Sequence, residues 1–263
     1  SPETNARADV EPSQNSVTIL LFSSDQSTLF RYNLFGTPAR YQAIGRPVYV
    51  TLDKGVETAT IETDGDGILW LASDSENQVN VRYLRPASSD FEGPITLVDG
   101  ISKDDICVIS SLRDGSVGVL WSNQNEQRYG FRRHVPASEP HNWFPDEVPA
   151  GTSAVDHGEG MSDDHLNIAV GTDGTLYAAV KTSYDKAGMP LVACLIRRPH
   201  GKWDPLYNVD DEGSRGIILL DEPLSTVHVI YTSYRDSAIV MKSSSTDSIA
   251  FSDRVVLMEA SRI

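Results

Sequence analysis

Residues 164–180 read DHLNIAVGTDGTLYAAV, and this stretch decides the fold. Two short apolar segments flank Asp173-Gly174, a dipeptide that favours tight hairpin turns because both residues tolerate a positive φ. The second segment, 176–180, contains aromatic and β-branched residues, which strands favour. The stretch therefore predicts two antiparallel strands joined by a turn.

The same arrangement returns five times along the chain, at intervals of roughly fifty residues. The five repeats open near Arg7, Glu57, Asp104, Asp164 and Ser214. Second strands are predicted over 17–22, 68–72, 117–121, 176–180 and 227–231, and third strands over 28–34, 79–84, 128–135, 191–196 and 238–242. A weaker outer strand follows, as at 94–98 and 254–258. Repeats of four short antiparallel strands with this period are the signature of β-propeller blades.

We therefore predict an all-β fold, a β-propeller with five four-stranded antiparallel blades in one domain, 1–263. The blades span about 6–55, 56–102, 103–161, 162–212 and 213–260. The first repeat opens on an inner strand and the last closes on an outer one. We expect a ring that is incomplete, or that closes without a blade shared between the first and last strands.

Composition limits the partners and the location of the protein. The net charge is -15 and the sequence pI is about 4.7, which opposes binding to nucleic acid, because phosphate binding depends on clustered Lys and Arg. No apolar run approaches the roughly eighteen residues of a membrane span, and the first fifteen residues are too polar to be a signal peptide. The acidic composition favours an extracellular or periplasmic protein. Cys107 and Cys194 lie in strands of different repeats and are expected to be buried free thiols.

Propeller geometry brings the start of each inner strand and the end of each second strand to one rim. This rim is predicted to carry polar and aromatic side chains, a composition typical of a sugar site. The predicted substrate-binding residues are Arg7, Asn123, Gln124, Tyr129, Asp164 and Tyr234; Ser24, Asp105, Asp163 and Ser183 lie at the same register. For any single one of these residues, the alternative is a solvated loop end or a turn cap.

Four further rim residues have the chemistry for catalysis: His165, Lys181, Tyr184 and Arg215. We expect them on one face, close enough for one sugar unit to touch more than one. β-Elimination from a uronate needs a cation that neutralises the carboxylate, a base for the C5 proton and an acid for the leaving oxygen. Arg215 or Lys181 suits the first role, His165 the second and Tyr184 the third.

Metal and cofactor signals are weak. Residues 64–67 and 210–213 faintly resemble calcium loops, but neither has the full spacing with a terminal glutamate. No Cys/His spacing fits zinc, and no Gly-rich phosphate cradle is present. We predict no cofactor and no metal site beyond an incidental structural divalent cation. The segment 136–161 exceeds an ordinary blade connection and is expected to arch beside the rim.

Five segments, at 6–10, 118–124, 162–167, 178–183 and 214–221, resemble a bacterial family of secreted, sialidase-like (BNR-type) β-propellers. Similar seven-bladed propellers are polysaccharide lyases acting on uronate-containing glycans such as ulvan, with His, Tyr and Arg in the central groove. The resemblance implies a carbohydrate role, lyase chemistry and a seven-bladed ring. Three features depart from it: the two further blades that such relatives would supply before Arg7 are not in this sequence, a strand exit that tends to end in histidine reads Phe22-Ser23-Ser24, and the sialidase Asp-box is missing. Sialidase activity is therefore not supported.

Two hypotheses of function follow from these observations. In the first, the protein is a polysaccharide lyase that cleaves uronate-containing glycans by β-elimination. In the second, it is a non-catalytic propeller that binds a glycan, or a partner protein, through the same rim. The departure at Phe22-Ser23-Ser24 and the absence from this sequence of the two further blades that the resemblance leads us to expect before Arg7 favour the second hypothesis, because a groove shared across the ring would lose part of its catalytic set.

Overall fold

The computed structural model describes residues 7–23, 26–86, 88–151, 160–184 and 186–259. Within these ranges the chain forms twenty strands in five antiparallel sheets, each built from one continuous part of the sequence. The helical content of the described ranges is one 3₁₀ turn, Glu222–Leu224, and no helix there could cross a membrane. The predicted all-β fold of successive antiparallel blades is confirmed.

Each sheet is named here as a blade. Blade 1 contains β1 Arg7–Pro12, β2 Ser16–Ser23, β3 Gln26–Phe35, β4 Arg40–Ala43 and β5 Val48–Thr51. Blade 2 contains β6 Ala59–Thr63, β7 Leu69–Asp74, β8 Gln78–Leu84 and β9 Glu92–Asp99. Blade 3 contains β10 Cys107–Ser111, β11 Val117–Asn123 and β12 Arg128–His134.

The last two blades complete the order of elements. Blade 4 contains β13 Leu166–Val170, β14 Leu176–Lys181, β15 Val192–Arg197 and β16 Tyr207–Asp210. Blade 5 contains β17 Ser214–Asp221, β18 Thr226–Ser233, β19 Ala238–Ser245 and β20 Val255–Glu259. The innermost strands β1, β6, β10, β13 and β17 contact one another in this order.

Blades 1 and 3 depart from four regular strands. In blade 1, β4 and β5 pair with opposite halves of β3, so the outer position is divided between two short strands. In blade 3, single bridges from Phe131 to Glu147 and from His134 to Trp143 replace the fourth strand. Proline occurs four times between residues 136 and 149, and it cannot donate a ladder hydrogen bond. The described part of segment 136–161 is therefore an irregular outer edge; residues 152–159 of this segment lie outside the described residues.

The core lies in the seams between successive blades. In β7, Leu69 and Leu71 pack towards blade 1, while Trp70 and Ala72 pack towards blade 3. A strand buried on both faces is apolar throughout, which explains why the second strands read as continuous apolar runs. Cys107 and Cys194 lie in these seams as buried free thiols, as predicted.

Side-chain to backbone hydrogen bonds tie the innermost strands of neighbouring blades together. The backbone N–H groups of Ile61, Ile109 and Ile218 donate to Asp9 Oδ2, Thr60 Oγ1 and Asn167 Oδ1, at 2.7, 3.0 and 2.9 Å respectively. An innermost strand has no further strand on its inner side, so these groups would otherwise need water. These bonds fix the position of each inner strand relative to the next along the strand direction. They therefore align the strand ends that form the rim.

The outward faces of the two terminal blades are apolar and exposed. Ile217 and Met258 of blade 5 are 50% and 64% exposed, and Val10 and Tyr49 of blade 1 are 51% and 73% exposed. β1 pairs with β2 inside blade 1, and the β20 strand that follows Arg254 pairs with β19 inside blade 5. As expected, no blade is shared between the first and last described strands.

Candidate functional site

The rim of blade 4 brings together residues that are separate in sequence. Asp163, Asp164 and His165 precede β13, and Lys181 ends β14. Because β13 and β14 are antiparallel, the start of one lies beside the end of the other, and Lys181 N donates to the carbonyl of His165 at 2.9 Å. Ser183 follows directly. We call Asp163, Asp164, His165, Lys181 and Ser183 the blade-4 cluster.

Charged hydrogen bonds connect the members of the blade-4 cluster. Lys181 Nζ lies 2.8 Å from Asp163 Oδ1 and 3.4 Å from Asp164 Oδ1. His165 Nδ1 lies 2.5 Å from the same Asp164 oxygen. Ser183 donates its hydroxyl to Asp163, and Asp164 N donates to Asp163 Oδ1 at 2.7 Å. The side chains of His165 and Lys181 are both 26% exposed, so the cluster borders solvent.

The electrostatics of the cluster favour the ionised form of Asp163. Burial alone would raise the pKa of Asp163, but hydrogen bonds with the side chains of Asp164, Lys181 and Ser183 outweigh it and lower the pKa to about 2. Burial opposes the charged form of Lys181, yet the hydrogen bond and charge of Asp163 raise the pKa of Lys181 above its usual value. The positive charge of Lys181 is therefore committed to the two aspartates.

His165 has the arrangement of a general base. Its Nδ1 faces the carboxylate of Asp164, which accepts a hydrogen bond, so Nδ1 carries the hydrogen. In the neutral imidazole, the other ring nitrogen, Nε2, is then the one with a free lone pair. A carboxylate that orients an imidazole in this way is the arrangement found in many acid–base sites.

Asp163, Asp164 and His165 are also the residues of this site with ligand atoms suited to a metal ion. These atoms lie within 4.8 Å of one another. The ammonium of Lys181 already contacts both carboxylates and supplies the positive charge that a metal ion would bring. The geometry therefore gives no reason to assign a metal here.

Tyr129 and Tyr184 do not face the rim, contrary to expectation. Tyr129 is fully buried, and its hydroxyl donates to Lys181 O at 2.5 Å and accepts from Asp163 N at 3.3 Å. Tyr184 is 5% exposed, packs in the same apolar cluster, and has its pKa raised to about 12 by burial. Both rings fill the seam between blades 3 and 4, where a sugar cannot stack on them.

Asn123 and Gln124 form turn contacts instead of presenting their amides to a ligand. Asn123 is fully buried, and its Oδ1 accepts from Glu126 N at 2.9 Å. Gln124 Nε2 donates to Asp105 Oδ1 at 3.1 Å, and Asp105 also accepts from Gln124 N. The turn-cap alternative therefore describes these residues.

Two other rim carboxylates have the same capping role, and sequence reasoning missed them. Asp74 accepts hydrogen bonds from the backbone of Glu57 and Thr58, and Glu212 accepts from Tyr234 N at 2.8 Å. Their positions in the sequence could have indicated this role, because Asp74 ends a second strand and Glu212 lies just before an inner strand. Ser24, also expected at the rim, lies outside the described residues.

Arg215, Tyr234 and Arg7 are exposed. Arg215 has a φ of 57° at a β-bulge between Ser214 and Ile217, where β17 begins. Tyr234 is 59% exposed, and Arg7 donates to the carbonyl of Glu57 in the neighbouring blade. Within the described ranges, no hydrogen bond or ion pair joins Arg215 to the blade-4 cluster. The structure thus joins the side chains of His165 and Lys181 through Asp164, and among the described residues it shows no such link to Arg215.

No protein-family model and no curated protein sequence matches the chain. Solved structures do match. A Kuenenia stuttgartiensis hydrazine synthase is 12% identical with a TM-score of 0.63, over 95% of this chain and 65% of that one. The microbial sialidase Hz136 is 11% identical with a TM-score of 0.53, over 93% and 55%. TolB from Acinetobacter baumannii is 10% identical with a TM-score of 0.52, over 91% and 51%.

The chain thus spans between about half and two thirds of the length of these three structures. At such low identities the similarity shows the fold, a β-propeller, and does not carry an activity.

Proposed function

We propose that this protein is a carbohydrate-active propeller that cleaves uronate-containing polysaccharides by β-elimination at the blade-4 rim. The observation that carries the proposal is the 2.5 Å contact between Asp164 Oδ1 and His165 Nδ1, which leaves Nε2 of a partly exposed imidazole as a base. The sialidase among the structural matches shows that this fold can support glycan chemistry, although it does not assign a substrate to this chain.

The proposed reaction assigns each step to a residue. His165 Nε2 takes the C5 proton, the C–H electrons form the C4–C5 double bond, and the bond from C4 to the leaving oxygen breaks. The imidazolium returns its proton to that oxygen, because Tyr184 is packed in the seam and unsuited to the task. Arg215 neutralises the sugar carboxylate, since Lys181 is held by the aspartates.

The alternative is a propeller that binds a glycan without cleaving it. One observation favours it: the blade-4 cluster holds two carboxylates and one ammonium, which repels an anionic sugar. Tyr234, a residue that is 59% exposed, offers a stacking surface for a neutral sugar in the adjacent blade. In both cases we propose a polysaccharide partner and a location outside the cytoplasm, which the net charge of -15 supports.

An assay for unsaturated uronate distinguishes a lyase from a protein that only binds the glycan. Wild-type protein is mixed with ulvan and other uronate polysaccharides, and ultraviolet absorbance follows the new double bond. We expect His165→Ala to abolish product formation and Arg215→Ala to weaken both binding and turnover, because a carboxylate neutraliser acts in the ground state and the transition state. His200→Ala, an exposed histidine beyond β15, is the matched control and should retain activity.

Two outcomes would contradict the lyase proposal or its assignment of the base. If wild-type protein binds these glycans but forms no unsaturated product from any of them, the protein is a binding module. If His165→Ala retains wild-type turnover, His165 is not the base and the assignment of the site fails.

A further inference from the structure

Lys181 differs from the other cations of the rim in how its side chain is held. Its Nζ contacts carboxylates on both sides, Asp163 at 2.8 Å and Asp164 at 3.4 Å. Arg215 and Arg7, by contrast, are exposed. A lysine enclosed in this way is poorly placed to meet a sugar carboxylate, because binding the sugar would require breaking two ion pairs.

The partners of Lys181 are themselves fixed. Asp163 also accepts from the Ser183 hydroxyl and from Asp164 N, so its carboxylate is held from three directions. Tyr129 donates to Lys181 O at 2.5 Å, which anchors the backbone where β14 ends. The ammonium of Lys181 is therefore a rigid point of positive charge beside Asp164.

Asp164 connects this ammonium to His165. One oxygen, Oδ1, faces both Lys181 Nζ and His165 Nδ1. Without the ammonium, the side chain of Asp164, which is 38% exposed, would lose one of the contacts that hold it in place. The imidazole would then lose the fixed acceptor that determines which ring nitrogen carries the hydrogen.

We propose that Lys181 is a positioning residue for His165: through Asp164 it holds the imidazole with the hydrogen on Nδ1 and the lone pair on Nε2. This inference rests on the proposed function, in which His165 Nε2 is the base. The sequence allowed Lys181 to neutralise the sugar carboxylate. In this proposal Lys181 does not contact the substrate and instead orients the catalytic His165.

The test reads the tautomer of His165 directly, in the protein without any glycan. Nitrogen-15 NMR of the imidazole distinguishes hydrogen on Nδ1 from hydrogen on Nε2. We expect the Nδ1–H form in wild type, a mixture in Lys181→Met, and recovery in Lys181→Arg, whose guanidinium can bridge two carboxylates. Lys202→Met, an exposed lysine after β15, is the matched control and should match wild type.

Kinetics provide the second readout. In Lys181→Met we expect kcat to fall by about 100-fold or more, the usual contribution of a positioned acid–base group, with KM little changed. A rise in KM at constant kcat, together with a wild-type tautomer, would overturn the proposal, since Lys181 would then touch the substrate.

A second variant keeps the test decisive if Lys181→Met does not fold. Asp164→Ala removes the acceptor while sparing the pair between Lys181 and Asp163, and it should shift His165 towards the Nε2–H form. An unchanged Nδ1–H form in Asp164→Ala would refute the inference. Failure of the proposed function is distinguishable: wild type would then form no product, while the tautomer results would still follow the expected series.

Discussion

At the scale of single residues, the described part of this rim is built mainly from carboxylates that accept protein hydrogen bonds, and within it only the blade-4 cluster combines them with a histidine. Asp74 and Asp163 show that the same residue type takes opposite electrostatic states. Burial raises the pKa of Asp74 to about 6 despite hydrogen bonds from Glu57 and Thr58, whereas hydrogen bonds, including one from Lys181, lower the pKa of Asp163 to about 2.

Asp74 should make the protein less stable as pH rises. Its folded-state pKa lies above the usual 3.8, so the folded state binds the proton more tightly than the unfolded state does. The stabilising contribution is complete below pH 3.8 and is lost as pH rises through about 6, a change of about 3 kcal/mol. Urea unfolding at several values between about pH 3.5 and about pH 7 measures this change, because that range covers both the usual pKa of 3.8 and the folded-state pKa of about 6.

The control for this prediction is Asp74→Asn, which cannot titrate. The difference in unfolding free energy between wild type and Asp74→Asn should change with pH in that window. A constant difference would show that Asp74 keeps an ordinary pKa. Asp163 gives the opposite sign: its contribution is present above pH 3.8 and is lost as pH falls through about 2.

The sequence predicted the positions of side chains correctly where these depend only on how two strands pair. The pairing of β13 with β14 was enough to predict that His165 and Lys181 meet. Tyr129 was misplaced because its burial depends on which face of β12 it occupies. Tyr129 and Phe131 share a face by alternation, and this pattern was the available signal that both point into a seam.

At the scale of elements, the decisive feature is how the innermost strand of one blade is tied to that of the next. Ile109 N donates to Thr60 Oγ1 at 3.0 Å across the seam between blades 2 and 3. The strands themselves were predictable from turns and apolar runs, but the outer edge of blade 3 was not. There the prolines between 136 and 149 leave single bridges where a strand was expected.

Thr60→Val should destabilise the protein although it preserves side-chain shape. The substitution leaves the N–H of the buried Ile109 without its acceptor, and an unsatisfied buried donor costs about 1–3 kcal/mol. Thr63→Val, on the same strand, leaves this bond intact and should cost less. Equal losses in chemical unfolding for the two variants would show that the seam bond does not contribute to stability.

At the scale of the whole molecule, the described parts of the two terminal blades, 1 and 5, each expose an apolar face. Ile239 and Val240 are neighbours on β19 and point to opposite sides: Val240 is fully buried against blade 4, and Ile239 is 40% exposed on the terminal face of blade 5. Sequence repeats predicted the blades, but they could not show these bare faces, because exposure depends on what packs beside a sheet.

This pair of residues tests whether the outer face of blade 5 is uncovered in solution. We expect Val240→Ala to lower the free energy of unfolding by about 2 kcal/mol, because it creates a cavity in a packed seam. Ile239→Ala should cost well under about 1 kcal/mol even though it removes more apolar surface, since its side chain is already partly in water. A larger loss for Ile239→Ala would mean that the terminal face is covered in solution.

The central claim is that the glycan binds at the blade-4 rim, whether or not it is then cleaved. Backbone NMR of the His165→Ala protein, titrated with a uronate oligosaccharide, tests this claim most directly. We predict that the largest shift changes occur at Asp164, Lys181 and Arg215, which border the rim of blades 4 and 5. Changes confined to the opposite ends of the blades, around Asp114 and Asp173, or no saturable change at all, would contradict it.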